Sequence, residues 1–248
     1  MTESATTVRP ERRAEIAAGL ARVRARIDDA CAAAGRQRDE VTLVAVTKTY
    51  PASDVVALAG LGVTDVGENR DQEAAGKAAA VAESGEAPRW HFIGQLQRNK
   101  ARSVVRYADV VQSVDSVRLA AALDAAAGAV RDRPLDVLVQ VSIDGDPARG
   151  GALPGDADPQ RGLDPVAAAV AGADALRLAG LMAVAPLGWE PDRAFARLAE
   201  VAARLRADHP GATVLSAGMS GDLESAIGHG ATHVRVGSAL LGMRPALR

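Results

Sequence analysis

Aromatic side chains are almost missing from this sequence: two each of Phe, Trp and Tyr, 2% of 248 residues. The apolar fraction is nevertheless 48%. A core of that size must be built mostly from Ala, Val and Leu, which suits helices packed closely on a sheet. Cysteine is as scarce. The single Cys31 cannot close an internal disulfide and falls on the apolar side of a predicted helix, so a buried, inert thiol in a reducing cytoplasm is expected. Charge of one sign is lacking too. A net charge of −2 gives no basic footprint for nucleic acid or for an acidic membrane surface. No apolar run approaches the ~18 residues of a membrane span. The polar start, Met1-Thr2-Glu3-Ser4-Ala5, is not a secretory signal. His209, His229 and His233 lack metal-ligand spacing, and no Cys or carboxylate cluster accompanies them, so no metal centre is expected.

What the chain does contain is a regular alternation. From Glu11 to about Gly35, the residues Ile16, Leu20, Val23, Ile27 and Cys31 recur at helical spacing and predict a long amphipathic helix. Thereafter strands are predicted over 41–47, 63–67, 90–93, 109–112, 135–142, 177–184, 213–216 and 233–236. Helices are predicted near 52–60, 69–83, 97–106, 116–130, 163–172, 191–207, 221–229 and 237–242. Eight strands, each followed by a helix, is the count of a (β/α)8 TIM barrel of the α/β class. The rival, an open doubly wound sheet, would want a G-x-G-x-x-G after the first strand, and none is there. Residues 1–10 read as a flexible tail and 11–248 as a single barrel domain with an extra N-terminal helix. The stretch 144–162, DGDPARGGALPGDADPQRG, is the only long loop. So much Gly, Pro and Asp predicts a mobile, solvated insertion, with a lid or partner contact as the alternative.

Chemistry gathers on one rim. Lys48 closes the apolar run from Val41 to Thr47 and is followed at once by Thr49-Tyr50-Pro51. A lysine is thus held where a strand buried on both faces meets its loop, the end of a parallel barrel at which reactions occur. A desolvated amine there is expected to lose its proton readily and to attack a carbonyl. The segments Leu215-Ser216-Ala217-Gly218-Met219-Ser220-Gly221-Asp222 and Val234-Arg235-Val236-Gly237-Ser238 lead from the last two strands into helices. Their glycines and serines suit an anion such as a phosphate, while ordinary turns with serine caps are the plain alternative. Arg235 lies between two valines; if these pack outward, it points into the barrel, either to a ligand or to a structural ion pair. His91, in a strand, and Asn69, at the end of another, are candidates with structural alternatives as core residue and helix cap.

These motifs occur in a telling order: AVTKTYP around Lys48, Gly67-Glu68-Asn69, WHFIGQLQRNK (90–100), GLMAV (180–184), LSAGMSGD (215–222) and RVGSALLG (235–242). From about residue 11 onward the chain resembles the YggS-type (PROSC-like) pyridoxal 5′-phosphate homeostasis proteins. The resemblance implies a barrel like the N-terminal domain of alanine racemase, with pyridoxal 5′-phosphate (PLP) as an internal aldimine on Lys48. It makes Ser220, Gly237 and Ser238 phosphate contacts, with Ser216 and Met219 lining the same loop. It makes Arg235 the partner of the pyridine nitrogen, and it places Asn69 and His91 in pocket motifs. An arginine facing that nitrogen disfavours its protonation and leaves a weaker electron sink. Two departures stand out: Ser238 where the family usually has threonine, and VSIDGDPARGG in place of a commoner Asn-containing pattern.

Alanine racemases add a second base, a tyrosine from a C-terminal β-domain. This sequence stops at Arg248, directly after the eighth βα unit, and neither Tyr50 nor Tyr107 is placed to oppose Lys48, although Tyr50 comes near. The expectation is therefore a carrier that stores, buffers or transfers PLP in the cytoplasm without significant turnover and without catalytic residues. Its partners would be PLP and PLP-dependent apo-enzymes, with no nucleic acid and no membrane, and its state a monomer or a weak dimer. The alternatives are a low-activity PLP-dependent amino-acid racemase and an aldolase-like barrel that binds phosphorylated sugars.

Overall fold

Valine-rich runs too short for helices pair side by side along this chain until the last returns to the first. In a computed structural model, which describes residues 6–242, the strands form a closed parallel barrel in sequence order. They are β1 (Thr42–Val46), β2 (Asp65–Glu68), β3 (Arg89–Phe92), β4 (Val110–Val114), β5 (Leu135–Gln140), β6 (Leu176–Met182), β7 (Val214–Ser216) and β8 (His233–Val236). The helix α1 (Pro10–Ala33) precedes β1. The strands are followed in turn by α2 (Ala52–Ala59), α3 (Asp71–Glu83), α4 (Ala101–Val104), α5 (Val117–Gly128), α6 (Leu163–Ala171), α7 (Pro191–Asp208), α8 (Leu223–Gly228) and α9 (Ser238–Leu241). Residues 1–5 of the expected tail lie outside the described residues.

Alternation along β8 decides what the barrel holds. Val234 and Val236 pack outward with α1 residues such as Ile16, Leu20 and Val23 in an apolar shell, so Arg235 faces the interior. The helix α1 earns its place by close approach at Gly19, where a Cβ would stand 2.1 Å from the Leu240 carbonyl oxygen of α9. Inside the barrel, apolar filling comes from Val44, which pairs in register with Arg235, and from Val110, Leu138 and Met182 with their neighbours. Beside them stand the buried polar side chains His91, Gln112, Ser216 and Arg235, where layers of branched aliphatics are usual in this fold. At the N-terminal end, Asp136 takes a fork of bonds from Arg177, at 2.5 and 2.7 Å, and a further bond from Arg89.

The loop after β5 differs from expectation. It is no merely solvated insertion: bridges Val141↔Ala152 and Leu153↔Gly162 fold it back, and Ala152 and Leu153 are buried. Asp144 takes bonds from Ser142 and Arg149, and the Gln160 carbonyl accepts the Val117 N–H at the start of α5. Short polar side chains that bond their own backbone add to the order that Ile143 and Ala152 give by joining the apolar core. Among the described residues, no helix is long and apolar enough to cross a membrane.

Candidate functional site

Parallel strands deliver their C-terminal ends to one rim, and the loops after β1, β7 and β8 are neighbours there. A cleft of ≈ 640 Å³ opens among them, and Lys48, Met219, Ser220, Arg235, Gly237 and Ser238 line it. Lys48 sits in a turn closed by the bond from Tyr50 N–H to the Thr47 carbonyl, at 3.0 Å. Its side chain is exposed, so the expected desolvation of the amine is corrected: the strand before it is buried, but the turn carries the lysine clear of the barrel. Tyr50 also lines the cleft and donates its hydroxyl to the Gly242 carbonyl at 2.6 Å. Tyr107 lies elsewhere, bonded to Asp71 at 3.4 Å, and burial raises its phenol above the usual range.

The two loops opposite Lys48 are shaped by glycine. Gly218 has φ +88°, and a Cβ there would come within 2.6 Å of Ala226 Cβ. Its carbonyl accepts the Arg235 N–H at 2.9 Å, which ties the loop after β7 to β8. Asp222 accepts the Met219 N–H at 2.6 Å and closes the turn that presents Ser220. The turn is braced from outside by Arg26 of α1, which donates to the Ser220 carbonyl at 2.9 Å and grips Glu224 with a second pair of bonds. At Gly237 a Cβ would stand 3.2 Å from the Val46 carbonyl oxygen, so β8 runs close under the Lys48 strand.

Arg235 is the one buried charge of the cleft, 4% exposed. Its guanidinium donates to Ser216 Oγ at 2.8 Å and to the Ala183 carbonyl at 2.9 Å, and no carboxylate among the described residues lies at ion-pair distance. Burial lowers its pKa to about 10, which leaves it cationic at neutral pH. A guanidinium only donates, and that orders the bonds beneath it. Ser216 Oγ accepts from Arg235 and passes its own proton to Gln112 Oε1 at 2.7 Å. Gln112 Nε2 donates to His91 Nδ1 at 2.7 Å, and His91 Nε2 donates to Asp65 at 2.8 Å. Four bonds thus run from a buried cation to a buried carboxylate with every donor pointing the same way. Burial pushes the Asp65 carboxyl up, but the bonds from His91 and Thr64 outweigh it and hold the group below the usual range. His233 packs 6.1 Å from His91, ring to ring, and burial with that neighbour lowers its pKa to about 4.

The structure therefore gathers six of the nine candidate residues in one cleft and puts three elsewhere. Ser216 and His91 lie below it as links of the buried chain. Asn69 belongs to a second cleft of ≈ 580 Å³ with Glu73, Gln95 and Lys100, and its Oδ1 is buried without a protein partner. Gln112 is the residue that sequence reading passes over. Its only signal is a polar side chain inside the apolar run Val110-Val111-Gln112-Ser113-Val114. Among the described residues no cluster of His, Cys, Asp or Glu could hold a metal ion. The cleft suits a small anion that also carries a carbonyl: an amine, two glycine–serine loops and a buried cation without a counter-ion face one space.

Comparison with known proteins points the same way. A family model described as the alanine racemase N-terminal domain matches residues 19–245. A protein of Mycobacterium tuberculosis named pyridoxal phosphate homeostasis protein is 47% identical over 248 residues, covering 95% of each chain. A crystal structure of an unknown protein from Bifidobacterium adolescentis superposes with a TM-score of 0.84 at 32% identity, over 96% of this chain and 100% of that one. PipY of Synechococcus elongatus, solved with PLP bound, gives a TM-score of 0.73 at 33% identity, over 92% of this chain and 100% of PipY.

Proposed function

The chain belongs to the alanine racemase N-terminal domain family and, within it, to the pyridoxal phosphate homeostasis proteins, and we propose that it holds PLP covalently through the Lys48 amine. Its work in the cell is PLP homeostasis: storage, buffering and transfer of the cofactor. The observation that carries the covalent reading is the meeting in one cleft of the Lys48 amine, the loops of Ser220 and Ser238, and the buried Arg235 guanidinium. Bound PLP supplies an aldehyde for capture and a ring that withdraws electrons.

The chain's own residues divide the task. Ser220, Gly237 and Ser238 would hold the phosphate, through hydroxyls and through backbone that glycine lets approach closely. Met219 offers an apolar, polarizable edge to the same space. Arg235 would face the ring nitrogen and keep a proton off it, because a fixed cation disfavours a second one alongside. Ser216, Gln112, His91 and Asp65 hold Arg235 in that aim and tie its charge to a carboxylate through the four bonds. Asn69 lines the second cleft, where its unpaired Oδ1 is ready for a donor.

We assign a carrier in preference to an enzyme with turnover. Of the two tyrosines, Tyr50 spends its proton on the Gly242 carbonyl and Tyr107 lies outside the cleft, so a base to oppose Lys48 is not supplied by either. Recipient apo-enzymes would draw on the open rim, where Lys48 and Ser238 are exposed. A reducing cytoplasm goes with Cys31, which is buried, unpaired and raised in pKa by that burial.

The test is spectroscopic. Titration of the purified protein with PLP should produce an absorbance band distinct from that of the free cofactor, and Lys48→Ala should abolish the band while leaving weak, phosphate-driven binding. No band with the parent protein would sink the reading. Exchange of amino-acid α-protons in deuterated water at enzyme-like rates, lost in Lys48→Ala, would favour the racemase instead.

A further inference from the structure

Beneath the Lys48 turn lies a buried ionic cluster that touches neither the cleft's amine nor its anion loops. Glu68 ends β2 and is fully buried, and Lys77 comes to it from α3 at 2.5 Å. The three donors of the Lys77 ammonium are all used: on Glu68, on Glu73 at 3.1 Å and on the Thr47 carbonyl at 2.8 Å. Glu68 also takes the Thr47 hydroxyl at 2.6 Å, and Glu73 takes the Thr49 N–H. Among the described residues, every side-chain bond the cluster makes outside itself thus lands on Thr47 or Thr49, the residues on either side of Lys48.

Stability alone is a poor reason for such an arrangement. Taking two charges out of water is costly, and an apolar pair of similar size often does as well or better. Burial raises the Glu68 carboxyl above the usual range even with Lys77 beside it, a mark of that cost. The cluster does, however, hold something that needs holding. Thr49 has φ +68°, and it is the one non-glycine residue with positive φ among the described residues. For a β-branched side chain that conformation is a true outlier, kept only where its surroundings insist on it.

We propose that Glu68, Glu73 and Lys77 are positioning residues that hold the turn 47–50 in the strained form presenting the Lys48 amine, and so govern aldehyde capture separately from phosphate recognition. The proposal rests on the PLP-binding reading above. Capture joins the Lys48 nitrogen to the aldehyde carbon, and the aldehyde oxygen leaves as water with the two protons the nitrogen gives up. The clamp acts on where that nitrogen stands.

Two probes separate the two steps in the full-length protein: PLP, and pyridoxamine 5′-phosphate, which carries the same phosphate and ring but no aldehyde. Glu73→Ala is the first variant, because Glu73 is at the edge of the cluster and its loss leaves the buried Glu68–Lys77 pair intact. It should weaken PLP binding about tenfold, the scale of one charge-assisted hydrogen bond, with less than about a twofold change for pyridoxamine 5′-phosphate. Adding Thr49→Gly should restore most of the loss, since glycine takes the turn's conformation without being held there. Equal weakening of both probes, unchanged PLP binding, or no rescue by Thr49→Gly would each overturn the proposal. Amide hydrogen exchange at Thr49 reads the clamp with no ligand present and should quicken at least about tenfold in Glu73→Ala. Unchanged exchange overturns the clamp, whereas a parent protein that binds neither probe overturns the PLP reading and leaves the exchange result standing.

Discussion

Replacing Gln112 by leucine cuts the buried chain at its middle. Gln112 is fully buried, accepts from Ser216 and donates to His91, so Gln112→Leu strands a hydroxyl donor and an imidazole acceptor where water does not reach them. Each orphaned group costs about 1–3 kcal/mol. Leucine fills most of the volume, so the expected loss is near the middle of the sum, about 4 kcal/mol. That is a large share of the roughly 5–15 kcal/mol that keeps a domain folded, and for this chain length it is about 10 °C in melting temperature. Urea unfolding followed by circular dichroism measures it. Ser216→Ala should interact with it: once the chain is cut the serine hydroxyl is itself a liability, so the double variant should be milder than the sum by about 1–2 kcal/mol. A loss under about 1 kcal/mol for Gln112→Leu, or strict additivity with Ser216→Ala, would refute the view that the four bonds act as one network.

The other expectations are simpler. Burial holds His233 at about 4 against ~6.5 unfolded, so the unfolded chain takes up the extra proton and roughly 2–3 kcal/mol of stability present above pH ~6.5 drains away toward pH ~4. His233→Gln should flatten that slope; Glu68, raised by burial, works in the opposite sense in both proteins and cancels in the comparison. Gly218→Ala should cost about 2–3 kcal/mol in thermal unfolding, since φ +88° and a Cβ 2.6 Å from Ala226 Cβ leave it no relaxed form. Arg26→Ala removes the brace on the Ser220 carbonyl and should weaken pyridoxamine 5′-phosphate about three- to fivefold by calorimetry, with little change in melting temperature. Affinity unchanged within error would detach α1 from the site.

The barrel was legible because its strands are short apolar runs and its helices are amphipathic or Ala-rich, and period alone separates the two. The inward aim of Arg235 followed from the valines on either side of it, and the glycine–serine loops announced the rim opposite Lys48. What stayed hidden were contacts between residues far apart in sequence. Gln112 and Ser216 are 104 positions apart and meet only because β4 and β7 face each other across the barrel. The exposure of Lys48 depends on the turn at Thr49, whose φ no composition rule predicts for threonine. The loop after β5 misled for a related reason: Asp, Gly and Pro that read as solvated segment also build tight turns when their side chains bond nearby backbone.

Everything proposed for the cleft depends on Lys48 holding PLP. Borohydride reduction of the PLP-loaded protein, followed by peptide mapping, tests it most directly. The pyridoxyl mass should appear on the peptide containing Lys48, and Lys48→Ala should carry none anywhere. A pyridoxyl group on a different lysine, or a Lys48→Ala protein labelled as heavily as the parent, would contradict it.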